Sequence, residues 1–96
     1  MSEICICAAI RLPNGEVWRG HRHDSAIRTA VAAPDIKPDD ISSAEQGFIT
    51  SRNRFVGREE GARLQRAAGI VSAHTMQPVS DLLFSEDLYL RDWRSV

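Results

Sequence analysis

The run Ile4-Cys5-Ile6-Cys7-Ala8-Ala9-Ile10 is almost unbroken apolar sequence. That is the pattern of a strand covered on both faces, and it predicts a central strand. Pro13-Asn14-Gly15 is turn chemistry, so Glu16-Val17-Trp18-Arg19 is expected to fold back as the second strand of a hairpin. Past Gly20, Asp24 or Ser25 can cap a helix with Ala26, Ile27, Ala30 and Val31 on its apolar side, ending before Pro34. Residues 34–45 hold two prolines, three aspartates and two serines and read as an acidic loop.

The stretch Gln46 to Gly69 reads as a hairpin followed by a helix, and the sequence shows no internal repeat. Gly47-Phe48-Ile49-Thr50 has strand chemistry, Ser51-Arg52-Asn53 turns the chain, and Arg54-Phe55-Val56 returns it. In the helix that follows, Gly61, Leu64, Ala67 and Ala68 fall three and four apart and predict a narrow face of small residues that packs closely. Glu59 and Glu60 suit the positive end of the helix, and Gly69 stands where a left-handed C-cap belongs. Ile70 and Val71 predict a short last strand, and 73–78 another loop. Leu82, Leu83, Phe84, Leu88, Tyr89, Leu90 and Trp93 then form a dense apolar cluster that must close the core or form an interface.

These elements predict an α+β fold: one domain over residues 1–96, with a small antiparallel sheet from the N-terminal and central hairpins packed against two helices. With 96 residues the core is modest, which favours a dimer or higher oligomer burying part of the C-terminal cluster. A net charge of −1 with 26% charged residues points to no long nucleic acid and no membrane as partner. Met1 to Leu12 lacks a basic leader and is too short to span a bilayer, so a cytoplasmic location is expected. Cys5 and Cys7, two apart on a strand, are expected on one face as reduced, buried thiols that do not bridge.

Two clusters carry chemistry. Gly20-His21-Arg22-His23-Asp24 gathers imidazole, guanidinium and carboxylate at a strand-to-helix junction. Amides at a helix start, with Arg22 and the imidazoles, suit a phosphate. Two alternatives stand beside that reading: a plain polar junction, and a metal site in which His21, His23 and Asp24, with His74, act as ligands. Arg52, Arg54 and Arg58, interleaved with Phe48 and Phe55, form the second cluster, where forked guanidiniums can hold phosphates and a ring can stack on a base. Its alternative is that the rings fill the core and the arginines pair with acids. No nucleophile elbow, P-loop or dinucleotide fingerprint is present, and Glu86 and Asp87 make a weak acid/base pair that more simply starts a short helix.

The order of HRHD near the first helix, QGFITSRNRFVGREEGARL in the middle and LFSEDLY near the end resembles the phage anti-Thoeris sponge proteins of the first-described type. That resemblance implies a small cytoplasmic α+β protein that binds, without cleaving it, a cyclic ADP-ribose isomer made by TIR-domain enzymes. It further implies pockets at a dimer interface, dimers assembling into a hexamer, and in some members separate sites for cyclic oligonucleotides. By the resemblance, His21, Arg22, His23, Gln46, Phe48, Arg54, Phe55 and Arg58 face the ligand, with no cofactor, no metal and no catalysis. Two other functions compete: a host-takeover protein acting by protein–protein contact through its apolar C-terminus, and a small metal-dependent nucleotide-processing enzyme using His21, His23 and Asp24.

Overall fold

The computed structural model describes residues 2–88. Strands β1 (Cys5–Arg11) and β2 (Val17–Gly20) form the first hairpin, followed by α1 (His23–Ala32) and α2 (Pro38–Ser42). Strands β3 (Glu45–Thr50) and β4 (Phe55–Gly57) form the second, followed by α3 (Arg58–Ala67) and, after an irregular stretch, a 3-10 turn at Ser85–Asp87. The sheet is antiparallel in the order β2-β1-β3-β4, so β1 is an inner strand, and the predicted α+β fold is the one found.

The chain is a ββα unit used twice, a symmetry that the residue identities hide. Both hairpins close with the same loop. Leu12 N–H bonds to Glu16 O at 2.8 Å and Gly15 N–H to Leu12 O at 2.9 Å; Thr50 N–H bonds to Arg54 O at 2.9 Å and Asn53 N–H to Thr50 O at 2.8 Å. Gly15 and Asn53 take the left-handed conformation that this loop needs, at φ 92° and 60°. Pairing between the units is symmetric about Ala9↔Gly47, with Ala8↔Phe48 on one side and Ile10↔Gln46 on the other. A pseudo-two-fold axis therefore passes between β1 and β3 at that pair.

One face of the sheet carries both long helices. Phe48 lies between Ala8 and Val56 in a cross-strand row and packs with Cys5, Ala62, Val79 and Leu83 beneath α3. Ile10 and Leu12 pack with Ala26 and Ala30 of α1, and Trp18, Ile36 and Ile41 flank them. The expected loop at 34–45 is thus partly a helix. Pro38 starts α2, the Asp40 carboxylate accepts the Lys37 N–H at 3.1 Å, and Ile36 and Ile41 complete the α1 core.

The expected Cys5–Cys7 face is corrected by a bulge at Ile6. Cys5 pairs with Thr50 and Cys7 with Ile49, adjacent residues on β3, so the two thiols point to opposite faces. Cys5 is buried on the helix side, where desolvation pushes its thiol up to about 12. The Cys5 N–H bonds to Gln65 Oε1 at 2.9 Å, which explains a glutamine only 2% exposed in a small core. Gln65 also shifts the buried face of α3 from the expected Gly61, Leu64, Ala67 and Ala68 to Gly61, Ala62 and Gln65. Gly69 does cap that helix, at φ 75°, with Ile70 N–H bonded to Gln65 O and Gly69 N–H to Arg66 O.

Helix α1 begins earlier than expected, with Arg22 rather than Asp24 or Ser25 at the cap, and Asp24 in the first turn bonds to Arg28. The expected strand at Ile70-Val71 is a single bridge, Val71 to Pro78. The C-terminal cluster splits: Leu83 is fully buried in the core, while Leu82 and Phe84 on either side remain 44% and 42% exposed. Tyr89, Leu90 and Trp93 lie outside the described residues. None of the described helices is long and apolar enough to cross a membrane.

Candidate functional site

The first residues of α1 and α3 meet near Gly47, in the middle of the sheet. Gly57 pairs with Gly47, which places Arg58 beside it at the start of α3. His23, the first residue of α1, bonds through Nε2 to the Gly47 carbonyl at 2.7 Å. A glycine is required there, since a Cβ would stand 2.2 Å from the Val56 carbonyl oxygen and 2.6 Å from Phe55 Cζ.

His23 is a tie between elements. Its Nδ1 lies 2.8 Å from Ser85 Oγ, its ring meets Phe48 edge-on at 5.0 Å between centroids, and it is 7% exposed. The Gly47 carbonyl can only accept, so Nε2 holds the proton and Nδ1 accepts from the Ser85 hydroxyl. Burial lowers its pKa and the nearby Arg58 charge lowers it further, while the bond to Gly47 and the Glu86 carboxylate oppose them. The imidazole is therefore neutral and has both nitrogens engaged.

Arg58 is the half-buried cation of the site. Nη1 donates to the Leu83 carbonyl at 2.8 Å, Nη2 donates to Gln46 Oε1, and the guanidinium carbon stacks 4.7 Å above the centroid of the Phe84 ring. The Leu83 N–H returns a bond to the Arg58 carbonyl at 3.0 Å. Desolvation lowers the Arg58 pKa, and the Glu86 charge works the other way. Among the described residues no carboxylate forms a salt bridge with Arg58, and its planar group is fixed in place beside an exposed aromatic ring.

Of the eight residues expected to face a ligand, His23, Gln46 and Arg58 converge around Gly47, and the other five do not join them as a single site. Phe48 is fully buried and is a core residue with no ring face open to a base. Phe55 points to the opposite side of the sheet, with the Arg11 guanidinium 4.7 Å from its ring centroid. Arg54 sits at the far end of β4, donating through Nε and Nη2 to Glu3 at 2.8 Å each and through Nη2 to Glu60 at 3.2 Å. His21 and Arg22 are half-buried in the β2–α1 connection, and each already has an interaction partner.

The chain matches the family of the phage T4 y16D protein over residues 4–89. It belongs to that family. No curated protein and no solved structure matches it.

For this phage family member, sequence reasoning missed Phe84 and Ser85 as parts of the site. Phe84 was legible only as one more apolar residue of the C-terminal cluster, and Ser85 only as a helix start. Asp87 is structural: its carboxylate accepts the Ser72 hydroxyl at 2.6 Å and the Phe84 N–H at 2.8 Å. The metal reading finds no geometric support, because among the described residues no three His, Cys, Asp or Glu side chains converge on a point. Asp24 pairs outward with Arg28, and the His23 ring has no nitrogen to offer.

Proposed function

We propose that this phage family member binds a small anionic nucleotide, of the cyclic ADP-ribose or cyclic oligonucleotide kind, and sequesters it without cleaving it. The observation that carries this reading is Arg58, a guanidinium held half-buried between Gln46 and the Leu83 carbonyl and stacked on the exposed ring of Phe84. A fixed guanidinium takes phosphate oxygens in pairs, and an aromatic ring beside it takes the base. The sequence resemblance to anti-Thoeris sponges points to the same ligand class. A second copy of the chain laid across Arg58 and the exposed Phe84 ring would enclose a ligand, in line with an oligomer.

Sequestration suits the groups present better than turnover. Hydrolysis needs an activated water, and the buried neutral His23 has both nitrogens bonded while Asp87 serves the chain itself. The test is to incubate the protein with the products of a TIR-domain enzyme, filter, heat the retained fraction and identify what is released by mass spectrometry. Intact cyclic nucleotide released only on heating supports the reading. Recovery of a linear product favours an enzyme instead. No retained nucleotide removes the proposal and leaves the exposed Leu82 and Phe84 as a protein-contact surface.

A further inference from the structure

Helix α1 carries its apolar side past the core that it covers. Ala26 and Ala30 are buried, whereas Val31, expected on the same side, is 60% exposed, the most open valine, leucine or isoleucine among the described residues. Val31 forms one wall of a cleft of about 400 Å³ between the end of α1 and α2, lined also by Ile36, Lys37, Pro38, Ile41 and Ser42. Ile36 and Ile41 pack against Ile10, Leu12, Ala26 and Ala30, so the floor of the cleft is continuous with the core. A volume of that size is within the range of small-molecule sites, which are concave, mainly apolar and marked by a few polar groups.

Lys37, the only lysine in the chain, is the one charged residue that lines this cleft. Asp35, Asp39 and Asp40 stand close to it in sequence, yet among the described residues no carboxylate forms an ion pair with its ammonium. Asp40 is turned to accept the Lys37 backbone N–H at 3.1 Å, and the Ser42 hydroxyl donates to the Asp39 carbonyl at 3.1 Å. The ammonium is therefore the lining donor left for a ligand. A single positive charge on a flexible stem matches one monoanionic group, and the exposed Asp35 and Asp39 beside the cleft repel anything more highly charged, such as a phosphate.

We propose that this cleft binds an aliphatic carboxylate of medium chain length, the chain lying on Val31, Ile36, Pro38 and Ile41 and the carboxylate meeting the Lys37 ammonium. Burial of the chain supplies the affinity, and the ion pair fixes its direction. Contact of cleft against cleft between two copies of the protein is disfavoured, since it would set Asp35 and Asp39 against their own counterparts. None of the lining residues belongs to the cluster around Arg58, and the inference stands independently of the nucleotide-binding reading.

The experiment is an NMR titration of the nitrogen-15-labelled protein with octanoate, and with octylamine and octanol as controls of the same chain length, each below its micellar concentration. Octanoate should shift the amide signals of residues 31–42 saturably and bind more tightly than either control. Lys37→Gln should weaken octanoate by about threefold to tenfold and leave octanol unchanged, while Lys37→Arg should keep the affinity. Val31→Asp, at an exposed position where the fold is not at stake, should weaken octanoate and octanol alike. Shifts that fail to saturate or that fall elsewhere, octylamine binding as tightly as octanoate, or octanoate affinity indifferent to both Lys37→Gln and Val31→Asp would overturn the proposal. So would an oligomer that falls apart in Val31→Asp and excludes octanoate in the wild type, which would assign the cleft to a second copy of the chain.

Discussion

His23 Nε2 and the Gly47 carbonyl, 2.7 Å apart, join the first turn of one ββα unit to the first strand of the other. That bond, with Ser85 on the other ring nitrogen, couples α1, β3 and the C-terminal segment through one neutral imidazole. The first prediction concerns pH. The folded pKa of His23 lies below its ordinary 6.5, chiefly through burial, so unfolding takes up a proton between the two values. The stability contributed by the neutral ring is complete above 6.5 and is lost as pH falls below 6.5 through the folded pKa. Melting temperatures between pH 8 and pH 5 should decline for the wild type. In His23→Gln they should start lower, by about 1–3 kcal/mol of stability, and stay flatter. Parallel pH profiles for the two proteins would contradict this role.

Gln65 should behave as a core residue despite its polarity. Gln65→Leu keeps the volume but strands the Cys5 N–H at the bulge, a loss of about 1–3 kcal/mol. Urea unfolding measures it directly. A neutral or stabilising result would mean that water replaces the amide at Cys5.

Glu3 should set part of the acid limb of stability. Hydrogen bonds from Arg54 first, and then from Thr50, hold its carboxyl down at about 2 against an ordinary 4.5. Its stabilising contribution is therefore present above 4.5 and is lost as pH falls from 4.5 through about 2. An NMR titration of the Glu3 carboxyl should show the low midpoint, and Glu3→Gln should flatten the stability profile over that window. A midpoint near 4.5 would mean that the forked pair with Arg54 does not form in solution.

The hairpins and long helices were legible in the sequence because their signals are local. Asn-Gly in the first loop, a polar turn in the second, Gly69 at a helix end and alternating or three-four spacing need no knowledge of partners. What was not legible depends on long-range pairing. The bulge at Ile6 reverses Cys5 against Cys7, and only the pairing with β3 reveals it. Gln65 reads as surface until the Cys5 N–H needs a partner. Residues 34–45 read as a loop because their composition is acidic, although Ile36 and Ile41 turn inward. The candidate site was half legible for the same reason. The pairing of Phe48 with Val56 across the second hairpin sends Phe55 to the face opposite Phe48, and the pairing of Arg54 with Glu3 spans 51 positions.

Arg58 is the residue on which the nucleotide-binding account rests. The most direct measurement is calorimetry of a cyclic ADP-ribose isomer into the wild-type protein and Arg58→Ala, with the cell contents checked by mass spectrometry afterwards. The account predicts tight binding to the wild type, a loss of roughly tenfold to a hundredfold in Arg58→Ala with the fold retained, and ligand recovered intact from both. Equal affinity for the two proteins, or a linear product in the cell, would contradict it.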